Sequence, residues 1–228
     1  MKILAIDTTS EVCGVAILEN EKLMIDTSLK NGLTHSENLI TCIQEALEKT
    51  NLTLKEIDLI AVSTGPGSFT GIRIGVASVK AMAEVNHTNI TEVTSLESLA
   101  RNIEEDSETK VALIDARNHQ CYCGIFDNEM NQKEELFADD INVIIERLEK
   151  YHNIAFVGNG AILHQAIISQ KLKNSKFAKE NEQKAYSCGL MRFKKYQNGL
   201  VENADTIIPR YLRKSQAERL RNNKEEEV

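Results

Sequence analysis

Short apolar runs and amphipathic stripes alternate along this chain in an order that is used twice. Residues 3–7 form an apolar run closed by Asp7, residues 12–18 a second run rich in β-branched side chains, and residues 22–29 a third. Polar turns at Thr8-Thr9-Ser10 and Asn20-Glu21 separate them, so the chain opens as strand, turn, strand, turn, strand. Thr34 and Glu37 then show capping-box spacing. The helix they start carries Leu39, Ile40, Ile43 and Leu47 as its apolar stripe. Thr53 and Glu56 repeat the box spacing. Residues 57–63 are too short and too β-branched for a helix and read as a buried parallel strand. A loop over 64–71 leads into a helix over 72–85, and Thr94 with Glu97 opens another over 95–103.

Residues 104–109 are polar and acidic and form the best internal boundary. Beyond them the pattern restarts. Residues 110–115 are a strand ending in Asp115, as the first strand ends in Asp7. Strands are expected at 121–127 and 133–137, a helix at 139–151 with Ile141, Ile144, Ile145 and Leu148 inward, a strand at 154–157 and a helix at 161–173. Both halves thus read strand-to-Asp, strand, strand, helix, strand, glycine turn, with little residue identity. The pattern predicts an α/β protein of two similar domains, 1–103 and 104–209. The tail 210–228 is expected to return to the first domain, because Tyr211-Leu212 needs an apolar surface; its last residues are charged.

Composition narrows the class. The 228 residues are 42% hydrophobic and 27% charged, the balance of a folded domain rather than a disordered one. Net charge is −7, whereas a protein that grips RNA alone carries a basic footprint. If RNA is involved, a partner is expected to supply most phosphate contacts. Asp7 ends the opening apolar run too early for an export signal, and no stretch approaches the roughly 20 apolar residues of a membrane span. The five cysteines contain no Cys-x-x-Cys, and Cys121 and Cys123 are expected on opposite faces of their strand. They read as free thiols of a reducing cytoplasm.

Four segments carry candidate chemistry. Asp7-Thr8-Thr9 lies between two strands, where hydroxyls can hold a phosphate and a strand-end carboxylate can hold Mg²⁺ through water. The alternative is a polar hairpin bonding its own backbone. Thr64-Gly65-Pro66-Gly67-Ser68-Phe69-Thr70-Gly71 joins a strand to a helix, a geometry that offers N–H groups to an anion, although no Gly-Lys-[Ser/Thr] closes it as a P-loop. Its helix carries the small residues Gly71, Gly75, Ala77, Ser78 and Ala81, which also suit close helix packing. Asp115-Ala116-Arg117 and Gly158-Asn159-Gly160 hold the corresponding places in the second half, with a local ion pair as the plain reading of the acid and base. No histidine pair shows metal-ligand spacing, and neither Ser63 nor Ser68 lies in a nucleophile elbow.

Five of these segments together resemble the TsaB/YeaZ family of tRNA threonylcarbamoyladenosine biosynthesis proteins. They are residues 3–17, Thr34-His35-Ser36-Glu37, the block 65–75, Asp115-Ala116-Arg117 and Pro209-Arg210-Tyr211-Leu212-Arg213, in family order across nearly the whole chain. The run from Gly65 to Gly75 is the most specific. The resemblance implies an actin-like ATPase (ASKHA) fold with two ribonuclease-H-like domains. It implies a cytoplasmic, non-catalytic subunit that supports a catalytic paralogue, TsaD, beside an ATPase, TsaE. Transfer RNA is reached through the complex, which acts on tRNAs reading ANN codons. The catalytic paralogue binds metal with His-x-x-x-His where this chain aligns Ser95 and Leu99. ATP and metal are therefore implied for the partners and no cofactor for this chain. Asp7, Thr8, Thr9, Gly65, Gly67, Asp115, Arg117, Gly158 and Gly160 become degenerate phosphate-site candidates. A four-helix partner contact is expected through Leu39, Ile43, Leu47, Gly71, Gly75, Ser78 and Met82, with a homodimer possible when the chain is alone. The competing readings are a sugar or acyl kinase of the same superfamily, which would need two phosphate motifs and a catalytic carboxylate, and a peptidase, for which no nucleophile–base pair is present.

Overall fold

The computed structural model describes residues 1–32, 34–197 and 205–213, with side chains of the last helix described through Met191. Two five-stranded sheets form, each with its own strand set. The first contains β1 (Lys2–Asp7), β2 (Gly14–Glu19), β3 (Lys22–Asp26), β4 (Leu59–Ser63) and β5 (Asn89–Val93), in the order β3-β2-β1-β4-β5. The second contains β6 (Thr109–Asp115), β7 (Gln120–Asp127), β8 (Phe137–Asp140), β9 (Ile154–Val157) and β10 (Lys176–Phe177), in the order β10-β9-β6-β7-β8. Reversed, it is the first sheet again. In both, three antiparallel strands linked by hairpins are extended by two parallel ones. This is the doubled architecture of the actin-like ATPase fold, and the repeat read from the sequence is a repeat of topology.

Strand alternation builds the layers. Leu4, Ile6, Val15, Ile17, Ile60 and Val62 point to one face of the first sheet, against α1 (His35–Thr50) and α2 (Phe69–Asn86). Their neighbours Ile3, Ala5, Ala16, Leu18, Leu59 and Ala61 point to the other face, against α7 (Ala185–Gln197). Gly189 lets α7 approach closely, since a Cβ there would lie 2.6 Å from Leu18 Cδ1. In the second sheet Val111, Leu113 and Phe156 face α4 (Ile141–Leu148), α5 (Asn159–Leu163) and α6 (Gln165–Lys171). Ala112, Tyr122 and Phe126 face α3 (Ser95–Ala100). Helices α3 and α7 touch each other, so they form the layer between the sheets.

Several expectations change. Helix α3 lies in the first half of the sequence but packs on the second sheet, and α7 lies in the second half but packs on the first. Each half of the chain thus lends a helix to the other's sheet. The strand expected at 133–137 is β8, Phe137–Asp140, and Asp140 then caps α4 through Asn142 N. The helix over 161–173 is two short helices broken at His164. Strands β5 and β10 and helix α7 carried no clear periodic signal. Cys121 and Cys123 share one face, as residues two apart on a strand must, and all five cysteines are buried and free. Among the described residues no helix is long and apolar enough to cross a membrane.

Candidate nucleotide-type corners and the outer helix face

The carboxyl ends of the parallel strands place two corners where ligands of α/β folds are held. At the first, Asp7 ends β1 and is 1% exposed. Its Oδ1 accepts hydrogen bonds from Thr9 N at 2.9 Å and Thr9 Oγ1 at 2.7 Å, and Oδ2 has no hydrogen-bond partner. Burial pushes the carboxyl above its ordinary value, against the opposing pull of Thr9, Ser63 and His35. The ring of His35 meets Ser10 O through Nε2 at 2.8 Å.

The glycine loop lies directly on this turn. Thr8 Oγ1 donates to Gly71 O at 2.7 Å, and Ser68 N donates to Thr9 O at 2.8 Å. A Cβ would come within 2.2 Å of Thr9 O at Gly67, 2.0 Å of Thr8 O at Gly71 and 2.4 Å of Thr8 Oγ1 at Gly75. Gly65 adopts φ +107° and opposes Arg210 O. The loop is pinned from its other side by Ser95, whose N donates to Gly65 O and whose hydroxyl bonds Pro66 O. A phosphate needs donors. Here both threonine hydroxyl protons and the Thr9 N–H are spent within the chain. These three donors are therefore turned into the chain in this structure and away from an incoming phosphate.

The second corner repeats the plan. Asp115 ends β6; its Oδ1 accepts from Arg117 N, and its own N donates to Asn159 Oδ1, each at 2.9 Å. Gly158, at φ +108°, packs so that a Cβ would lie 2.2 Å from Leu113 O, and Gly160 opposes Cys121 Sγ and Leu113 O at 3.0 Å. Arg117, Asn118 and His119 all take left-handed backbone at the hairpin tip and are exposed. The nine degenerate-site residues thus fall into two clusters of matching design, one at each Asp-ended strand.

The partner-face candidates divide. Leu39 and Ile43 are buried in the first domain's own core and are unavailable to another subunit, because α1 turns its apolar stripe onto the sheet. Gly71 and Gly75 face Thr8, which corrects their placement on an outer surface. Leu47, Ser78 and Met82 are half-buried at the rim. The outward face of α2 runs through Ile74, Ala77, Ser78, Ala81, Met82 and Val85 at helical spacing, with Ala77 and Ala81 exposed and Val85 79% exposed. Ile40, 50% exposed, is its counterpart on α1. Leu39 and Ile43 were legible as apolar stripe; that Ile40, within the same stripe, points outward was not. Among the described residues no cluster of three potential metal ligands occurs. Leu99, like Ser95, is buried, and it packs under the second sheet.

Comparison with known proteins agrees with this geometry. The family model described as "TsaD: tRNA N6-adenosine threonylcarbamoyltransferase" matches residues 31–220. The chain is 30% identical, over 96% of each sequence, to a Bacillus subtilis protein named tRNA threonylcarbamoyladenosine biosynthesis protein TsaB. Its fold is similar to that of YeaZ from Pseudomonas aeruginosa, at TM-score 0.77 and 23% identity over 92% of this chain and 100% of that one. It is also similar, at TM-score 0.54 and 12% identity over 88% of this chain and 98% of the other, to the activator of a 2-hydroxyisocaproyl-CoA dehydratase from Clostridium difficile.

Proposed function

The chain belongs to the TsaB family of tRNA threonylcarbamoyladenosine biosynthesis proteins, and from that premise we propose that it is a non-catalytic subunit supporting a TsaD-like threonylcarbamoyltransferase. The observation that carries this reading is the first corner. An enzyme of this architecture needs phosphate donors and an accessible carboxylate there. Thr8 and Thr9 spend theirs on Gly71 and Asp7, and Asp7 is buried. Ser95 and Leu99, aligned with the paralogue's histidines, hold the glycine loop and fill the core. ATP and metal belong, in this reading, to the catalytic partner and to a TsaE-like ATPase, and tRNA is engaged through the complex in the cytoplasm.

The surface for the partner is the outward face of α2 with Ile40 of α1. Alanine and serine at 77, 78 and 81 leave it smooth enough for another helix to approach closely, and the rim supplies Ile74, Met82 and Val85. A stable interface needs about 1,200–2,000 Å² in total, which two helices meeting two helices can provide. The same face would pair copies of this chain when the partner is lacking.

The test is titration of the catalytic paralogue with wild type and with Ala77→Arg/Val85→Arg, thermal melting serving as folding control. Both positions are exposed, so the variant is expected to fold. Affinity is expected to fall at least about tenfold, or ~1.4 kcal/mol, and modification of tRNA in the reconstituted complex to fall with it. Unchanged affinity in the folded double variant would remove this face from the interface.

A further inference from the structure

The segment from Ile207 to Arg213 does something that neither the two corners nor the helix face requires. We propose that Arg210–Arg213 is a clasp that holds the two sheet units at a fixed separation across the carboxyl ends of their parallel strands.

Its four residues divide their anchors, two to each unit. Arg210 N donates to Thr64 O at 2.8 Å, at the end of β4, and its guanidinium pairs with Glu92 of β5. Tyr211 stacks on Phe69 with centroids 4.6 Å apart and planes 6° apart, and its hydroxyl accepts from Arg73 Nε at 2.9 Å. Those contacts all lie on the first unit. Leu212 then joins the apolar cluster of Ala112, Ile114, Tyr122 and α3, beneath the second sheet. Arg213 Nη1 donates to Ala116 O at 2.8 Å, inside the Asp115 hairpin. The span from Arg210 to Arg213 is roughly 11 Å at full extension, so the clasp admits little separation of the corners it joins. A stacked, cation-backed ring and a half-buried leucine are anchors of different kind, and both must release before the units part.

The clasp also connects two surfaces. Phe69 and Arg73 form the first turns of α2, whereas Ala116 belongs to the hairpin tip with three left-handed residues. Strain on one anchor therefore reaches the other unit through three peptide bonds. This inference concerns the isolated chain and does not rest on the proposed role in a complex.

Amide hydrogen exchange on the full chain tests it through cross-unit readouts. Tyr211→Ala removes a contact to the first unit only. Arg213→Ala, at a half-buried position that leaves the core untouched, removes one to the second only. A clasp predicts that Tyr211→Ala speeds exchange of the Ala116 and Gln120 amides in the second unit by about fivefold or more. It predicts that Arg213→Ala does the same for the Ser68 and Ile72 amides in the first, the factor set by the loss of ~1 kcal/mol. Tyr211→Phe keeps the stack and is expected to stay within about twofold of wild type at all four amides. Faster exchange confined to the unit that lost the contact, in either variant, overturns the clasp and leaves a local packing role. If Tyr211→Ala fails to fold, Arg213→Ala decides alone, and unchanged Ser68 and Ile72 exchange rejects the proposal.

Discussion

At Asp7 a buried carboxyl meets two donors from Thr9 on one oxygen and nothing on the other. Desolvation raises its pKa, so its proton is held more tightly folded than unfolded. A group of that sign stabilises the fold fully below its unfolded pKa and loses this contribution as pH rises through the folded value. Wild-type stability should therefore fall from about pH 4 upward through that titration. Asp7→Asn keeps the accepting oxygen and removes the charge. It should flatten this slope, so that the variant gains on wild type as pH rises. Urea denaturation at pH 5 and pH 8 measures this, and a variant weaker than wild type at both would show that the charge is needed. Gly75 gives the second residue prediction. Its hydrogens oppose Thr8 Oγ1, so Gly75→Leu should destabilise the monomer by about 3 kcal/mol or more through overpacking. Loss of partner binding by that variant would then follow from unfolding. An unchanged melting temperature would return Gly75 to the surface.

The elements differ in how their ends are secured. Thr34-Glu37 and Thr94-Glu97 form the same capping box, yet Glu37 is exposed and Glu97 is 8% exposed. In the buried box the carboxylate is bonded by Thr94 N and Thr94 Oγ1, each at 3.0 Å. Thr94→Ala should thus cost about 2 kcal/mol, at the upper end of the range for caps, and Thr34→Ala about 0.5 kcal/mol. Denaturation of the two variants side by side checks the order, and equal losses would show that burial of the box adds nothing. These boxes were legible because their signal is local, a hydroxyl and a carboxylate three residues apart. Strand β5 was not, since Asn89-Ile90-Thr91-Glu92-Val93 has weak alternation and owes its pairing to β4 beside it. Helix α7 was missed for a related reason. Its inward face sets Ala185, Cys188 and Gly189 beside Met191, so most of its positions are too small to stand out as an apolar stripe.

For the whole molecule the doubled topology sets two Asp-ended corners at the carboxyl ends of parallel strands, and the threonine donors of the first are used within the chain. If the chain supports rather than catalyses, ATP with magnesium should neither be hydrolysed above background nor shift its melting temperature. A ligand at 100 times its Kd would add about 2.7 kcal/mol and be seen readily. Turnover abolished by Asp7→Ala would instead establish the kinase reading.

The three opening strands of each half, the two Asp-ended hairpins and the glycine turns are carried by local patterns, and a reader of the chain alone recovers them. Periodicity says which side chains share a face. It does not say which face meets what. Leu39 and Ile40 are neighbours in one apolar stripe, and only the position of the first sheet buries one and exposes the other. Thr8, Thr9, Gly67, Gly71 and Gly75 have the composition of an anion site, and only their mutual approach turns the two threonine hydroxyl protons inward. The placing of α3 on the second sheet and of α7 on the first, and the bridging by Tyr211 and Leu212, depend on contacts between separate elements, those of α7, Tyr211 and Leu212 lying about 90 or more positions apart in the chain, for which no local spacing exists.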